Sequence, residues 1–186
     1  MSRRALLTAL ALALTVLVIG VASAQTPYIA VYFNSGYSQE AKDCPGVGVF
    51  DTWYVAAVNF NMFLSGADFK IEYPPAVTLI ADLQVWTVYQ GTTAVGYTVG
   101  FPVPQNGFNP VLLVKPMVVW HCDVCMDPWN VNPIKVVANP STGFLGGVDY
   151  PGYNLVPSLG LTALICPLPI ATEQTTWGQI KATYGD

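Results

Sequence analysis

Cys122 and Cys125 enclose two residues and follow His121 directly. A Cys-x-x-Cys beside a histidine invites two chemistries. As a thiol redox pair it belongs at a helix N-terminus within an α/β pattern, where the helix dipole lowers the thiol pKa. Here it follows a strand-like run and heads into Met126-Asp127-Pro128, which offers no such helix start. As a zinc site it supplies three ligands, with Cys44 and Cys166 the only candidates for a fourth. It is not a haem attachment site, because that chemistry needs the histidine after the second cysteine. The remaining reading is structural: an even count of four cysteines in an oxidising compartment favours two disulfides. Three pairings of Cys44, Cys122, Cys125 and Cys166 are open at this point.

Other reactive types give weaker patterns. His121 is the only histidine, and no nucleophile-elbow motif accompanies it, so acyl transfer has nothing to build on. Asp68 and Glu72 are a carboxylate pair of the kind that hydrolyses glycosides. Their period-2 spacing with Lys70, against Ala67, Phe69, Ile71 and Tyr73, reads instead as the charged outer face of a strand. Asp123, Asp127, Asn130 and Asn132 crowd one segment and supply the hard oxygen ligands calcium requires. Their spacing fits no EF-hand, and Asx residues also populate turns for their own reasons. The expectation is therefore a non-enzyme with no cofactor, calcium being the one ion worth testing. Aromatics carry the best binding hypothesis. Trp86, Tyr89, Tyr97, Trp129, Tyr150 and Tyr153 fall in or beside loops and edge strands, and Trp86, Tyr89, Trp129, Tyr150 and Tyr153 are taken as candidate ligand contacts. The plainer account of such residues is core filling.

The elements that must position these residues are short and numerous. Tyr28 to Phe33 is a first strand, and Thr52 to Pro75 holds two more. Val77 to Leu83, Val85 to Tyr89, Tyr97 to Phe101, Val111 to Trp120, Ile134 to Ala138 and Gly160 to Cys166 complete a set of eight or nine, with Gly and Pro turn signals between them. That reads as an all-β sandwich of immunoglobulin-like or jelly-roll type. Pro116 cannot donate to a ladder, so its strand is expected at a sheet edge or with a bulge. Asn139 to Pro157 reads as a long loop. Beyond Pro169, Thr176 with Gln179 makes a capping box, and Trp177, Ile180 and Tyr184 share one helical face. A short amphipathic helix or tail is expected there.

The ends set the compartment. Arg3 and Arg4, an apolar run from Ala5 to Gly20, and Ala22-Ser23-Ala24 make an export leader cleaved after Ala24, by ordinary secretion or the twin-arginine route. The expected division is leader 1–24, sandwich 25–168 and tail 169–186. Cleavage leaves five lysines against eleven acids, a net charge of −6. No basic stripe remains for nucleic acid, and no second membrane-length apolar run follows.

Tyr54-Val-Ala-Ala57, then Leu64-Ser-Gly-Ala-Asp-Phe-Lys-Ile-Glu-Tyr73-Pro74, resembles the early strands of cohesin-like modules. Gly96 to Phe101 followed by Gly107 to Val119 is similar to that family's later strand pair. The resemblance covers most of the chain after the leader in order of elements, and the tail Thr175-Thr-Trp-Gly-Gln-Ile-Lys-Ala182 resembles C-terminal ends of secreted bacterial proteins. It implies a nine-stranded jelly-roll sandwich and a role in binding protein or carbohydrate. It also implies first and last strands side by side, hence a Cys44–Cys166 disulfide with Cys122–Cys125 as a local clip. The four cysteines depart from dockerin-binding cohesins, so that partner does not carry over. The resulting expectation is a secreted, non-enzymatic structural or adhesive module. It binds an extracellular protein or a cell-surface glycan, with strand addition at the Pro116 edge as one mode. The alternatives are a carbohydrate-binding module and, further off, a small thiol-redox or hydrolytic enzyme.

Overall fold

The computed structural model of the chain describes residues 25–121 and 132–165. The leader, Cys122, Asp123, Cys125, Asp127, Trp129, Asn130, Cys166 and the tail lie outside them. The described residues form strands and turns without a helix. In chain order the strands are β1 (Tyr28–Tyr32), β2 (Ala41–Lys42), β3 (Phe50–Thr52), β4 (Tyr54–Val58), β5 (Phe63–Glu72), β6 (Val77–Gln84) and β7 (Val88–Thr92). They continue with β8 (Gly96–Asn106), β9 (Val111–Trp120), β10 (Asn132–Val137), β11 (Gly146–Asp149), β12 (Leu155–Pro157), β13 (Leu159–Gly160) and β14 (Thr162–Ile165).

They make the expected two-sheet sandwich. One sheet runs β13-β1-β4-β9, with β3 and β6 also on β9. The other runs β12-β11-β5-β10-β14-β2, with β8 on β5 and β7 on β8. β5 is the longest-serving strand of the second sheet, paired with β8, β10 and β11. Its alternation predicts its faces: Leu64, Ala67, Phe69 and Ile71 all enter the core. Trp53, Trp120, Phe69, Tyr97, Leu113, Ile134 and Ile165 complete a continuous apolar layer between the sheets. The surplus over eight or nine strands comes from pieces of two to four residues. β11 and β12 lie inside the segment read as a loop, because strands this short have no room to show a period.

Two expectations about β9 and β5 need correcting. β9 is not an edge. Val118 pairs with Asp51 on one side and Leu79 on the other, which makes the strand interior. Pro116 is tolerated by an irregularity in its neighbours. Its carbonyl accepts from Trp53 N at 2.9 Å. An antiparallel residue presents its N–H and C=O to the same neighbour, so the missing N–H falls where β3 and β4 part at Trp53. On the other side the β6 register shifts between Leu79 and Ala81. Strand addition at Pro116 is therefore sterically closed.

The second correction concerns Asp68, which is no surface charge. It is only 6% exposed. Oδ1 accepts from Thr98 Oγ1 at 3.0 Å and from Asn139 Nδ2 at 2.5 Å, and Oδ2 accepts from Thr142 Oγ1 at 2.5 Å. A turn at 139–144 is thereby pinned onto the outer face of β5 and β8. Lys70 and Glu72, further along, keep the outward position expected of them.

Two polar clasps join the sheets. Asp51 Oδ2 accepts from Lys42 Nζ at 2.8 Å, Trp53 Nε1 at 2.9 Å and Trp120 Nε1 at 3.4 Å. That ties β2 of one sheet to β3 of the other around two indoles that meet edge to face. Asp82 on β6 accepts from both Thr93 N and Thr93 Oγ1 at 2.8 Å, and Tyr73 OH donates to the same hydroxyl at 2.6 Å. This holds the β7–β8 turn down across the sandwich edge. Burial pushes the Asp82 carboxyl above its usual range, and pushes the Tyr73 and Tyr97 phenols up as well.

Candidate functional site

The outer face of the β7-β8-β5-β11 sheet follows from register. Directly opposed residues share a face, so one row reads Val88, Gly100, Gly66, Val148 and Leu155 across five strands. The next row reads Gln90, Thr98, Asp68 and Gly146. The first row has no side chain at Gly100 and Gly66, which leaves a trough between Val88 and Val148. Neither glycine is replaceable without movement. A Cβ on Gly66 would sit 2.6 Å from the Val99 carbonyl oxygen, and one on Gly100 would sit 3.2 Å from Val88 Cγ1.

Tyrosines wall the trough. Tyr150 and Tyr153 line it with Ser65, Phe101, Pro102 and Pro104, enclosing about 670 Å³, while Tyr89 reaches it from the β7 edge with its ring on the Val99 side, stacked on Tyr97 at 6.2 Å. Tyr150 and Tyr153 meet edge to face at 5.9 Å. The turn that carries them is fixed from several sides. Asp149 accepts from the Asn154 backbone and side chain, Tyr150 N donates to Phe63 O at 2.9 Å, and Tyr153 N donates to Asp149 O at 3.2 Å. Tyr153 itself holds φ at +54°. A bulky residue pays about 1–2 kcal/mol for the left-handed region, and such strain clusters at functional sites. Its ring is 66% exposed, so core packing does not account for the conformation.

A second, polar cleft of about 330 Å³ adjoins the trough through Gln90 and Thr98 and adds Asn139, Ser141 and Thr142. No lining residue of either cavity is charged. The chain accounts for this: from Leu83 to Val114 it carries no Asp, Glu, Lys or Arg. Val88, Val103 and Leu155 are exposed around the trough, alongside Tyr150 and Tyr153. An exposed apolar face of this kind, rimmed by neutral hydroxyls and amides, is the type of surface that interaction sites present.

Of the five aromatic candidates, Tyr150 and Tyr153 lie in the trough wall and Tyr89 at its edge. Trp86 lies apart from them: its Nε1 donates to Leu112 O at 2.8 Å and its ring packs on Phe101 at 4.9 Å. Trp86 sits in the link that crosses from β6 of one sheet to β7 of the other, and it seals the sandwich edge there. Asn132, one of the four calcium candidates, is 2% exposed in β10 opposite Ile165; Asp123, Asp127 and Asn130 lie outside the described residues. Among the described residues no three His, Cys, Asp or Glu side chains converge as metal ligands. Cys44 packs against the core and is not a free thiol. Its pairing falls on the segments outside the described residues. The glycine floor and Gln90 were missed. Thr98 and Gly100 are outward by alternation with Tyr97 and Val99, but only the β5–β8 register sets Gly66 beside Gly100.

With this geometry in place, the fold can be compared with solved structures. A cohesin module from a Clostridium perfringens family 33 glycoside hydrolase aligns with TM-score 0.52 at 10% identity, over 75% of this chain and 95% of that one. The cohesin–dockerin complex Coh-OlpA-Doc918 from Clostridium thermocellum contains a chain that aligns with TM-score 0.51 at 15% identity, over 76% and 99%. The fold is cohesin-like. No protein-family model matches the sequence, and no curated protein does. In this cohesin-like sandwich the tyrosine trough lies on one open sheet face, and the Asp68-pinned turn closes its polar end.

Proposed function

We propose that this chain is a non-enzymatic binding module, exported after removal of its leader, that holds an extracellular protein partner on the outer face of β7, β8, β5 and β11. The observation that carries the reading is the trough itself: a bare glycine floor, the Tyr150–Tyr153 pair on a pre-organised turn with Tyr153 held at positive φ, and an uncharged lining. A wall-to-wall distance of three strand spacings, about 14 Å, admits one element of a partner such as a helix about 10 Å across. Support for a protein partner comes from the solved complex in which a chain of this fold binds a dockerin. Rigid, exposed tyrosines give contact area at low entropic cost, as anchors at protein interfaces do. The exported state also gives Cys44, Cys122, Cys125 and Cys166 the oxidising surroundings in which the two expected disulfides form.

The test is a pull-down from the secretome of the native host with the leaderless chain as bait. Capture of a stoichiometric protein that Tyr150→Ala/Tyr153→Ala loses, with an unchanged melting curve, is the expected result. Equal capture by wild type and variant would sink the assignment of the face. A second reading has one observation in its favour: the adjoining cleft of Gln90, Thr98, Ser141 and Thr142 presents neutral hydroxyls and amides beside exposed rings, as a neutral sugar chain requires. Saturable binding of a soluble hexasaccharide by calorimetry, lost in Tyr153→Ala, would establish that reading in place of the protein partner.

A further inference from the structure

The trough and the polar cleft share a wall. Gln90 and Thr98 line both, so the two spaces meet at that pair. The row Val88, Gly100, Gly66 lies two residues along β8 from the row Gln90, Thr98, Asp68, a step of about 7 Å. The two halves offer different chemistry. In the cleft, Thr98 and Thr142 spend their hydroxyl protons on Asp68, which its donors cover so that it offers a ligand no charge. The Gln90 amide and the Ser141 hydroxyl, by contrast, bond to nothing else among the described residues. Each both donates and accepts, as a sugar hydroxyl does. The trough supplies the Tyr150 and Tyr153 rings, Phe101, Pro102 and Pro104. Proline rings pack on aromatic walls of this kind, and a polyproline segment has no internal hydrogen bonds, so its carbonyls stay free for phenol and amide donors. Proline-rich chain interspersed with serine and threonine is also the kind that carries O-linked sugars.

We propose that trough and cleft form one bipartite site, and that its ligand is an uncharged, O-glycosylated, proline-rich segment of the extracellular partner. The prolines lie against Tyr150 and Tyr153, and the first sugar of the glycan enters the cleft on Gln90 and Ser141. This rests on the reading of the trough as the partner face and adds the partner's chemistry to it. Neutrality fits on both sides, since neither cavity lining holds a charge for a charged segment to meet. A bare peptide fills the trough and leaves Gln90 and Ser141 to water. A free sugar reaches the cleft without the tyrosine anchors. Only the joined ligand engages both halves, and the linkage makes the second contact intramolecular.

The test is calorimetric titration of the leaderless chain with synthetic probes. They are a short end-capped Pro-Thr-Pro-Ala repeat peptide with an N-acetylhexosamine on one threonine, the same peptide bare, and the methyl glycoside of that sugar. The expected result is a glycopeptide bound at least about tenfold more tightly than the bare peptide or the glycoside. Gln90→Ala/Ser141→Ala brings the glycopeptide down to the affinity of the bare peptide, and Tyr150→Ala/Tyr153→Ala weakens both peptides, each with an unchanged melting curve. Equal binding of the two peptides, glycoside binding as tight as that of the glycopeptide, or no binding of any probe would overturn the proposal. The reading of the face survives those outcomes if Tyr150→Ala/Tyr153→Ala still loses the protein captured from the secretome, and falls as well if it does not.

Discussion

Two carboxylates and one tyrosine show how far a single residue reaches in this molecule. Asp51 satisfies two indole N–H groups and a lysine at once, so Asp51→Ala leaves several buried donors without an acceptor. At about 1–3 kcal/mol for an orphaned buried group, urea denaturation is expected to show a loss of at least about 2 kcal/mol. Tyr153 should behave in the opposite sense. Asn tolerates the left-handed region, so Tyr153→Asn is expected to leave stability unchanged or raise it by up to about 1 kcal/mol while reducing partner binding at least tenfold. A variant that loses stability and binding together would make Tyr153 structural. Asp68 marks the limit of reading residues from a pattern. Period-2 alternation correctly sends it outward, but the turn that buries it comes from Asn139 and Thr142, more than seventy residues away. No local signal carries that contact.

At the level of strands and turns, the long elements were legible and the short ones were not. β5 and β9 announce themselves by length and alternation, and their bounds match the apolar runs closely. β11 and β12 stay hidden because their faces are set by β5, not by their own residues. Of the two readings of Pro116, edge or bulge, the structure excludes the edge and shows register irregularities in the flanking strands, while the break between β3 and β4 absorbs the missing donor. The β7–β8 turn gives a pH prediction. Burial raises the Asp82 carboxyl in the folded state above its ordinary value of 3.8. The folded chain then binds that proton more readily than the unfolded one. Its contribution to stability is full below about 3.8 and is lost as pH rises through the raised folded value. Denaturation curves from pH 3 to pH 7 should show this decline in the wild type relative to Asp82→Asn. A difference that grows with pH would reverse the sign and refute the assignment.

For the molecule as a whole, the separation of charge is the governing feature. The lining of the trough and its polar end is uncharged, with Asp68 buried beneath the turn there and Asp149 tied up inside the tyrosine turn. Partner binding should therefore be nearly independent of ionic strength, changing less than about twofold between 50 mM and 500 mM NaCl in contrast to charge-steered association. Surface plasmon resonance at the two salts checks this, and a steep salt slope would move the interface off the trough. The exposed rings of Tyr150 and Tyr153 were legible in the sequence because exposed rings beside turns are a local property. The floor they surround was not, because an empty space between strands is a property of pairing. The same neutral span has a second consequence, before the fold exists. From Leu83 to Val114 an unfolded chain has no charge to keep copies apart, and its β-prone runs are the kind that self-associate. Pro102, Pro104 and Pro110 are its only strong breakers of such ladders. Pro104→Val, with its side chain on the open trough rim, is expected to leave the melting temperature nearly unchanged yet lower the yield of refolding from denaturant, read as light scattering at micromolar chain. The missing charge that leaves the trough lining neutral thus also leaves the unfolded chain without repulsion between copies until the sandwich forms.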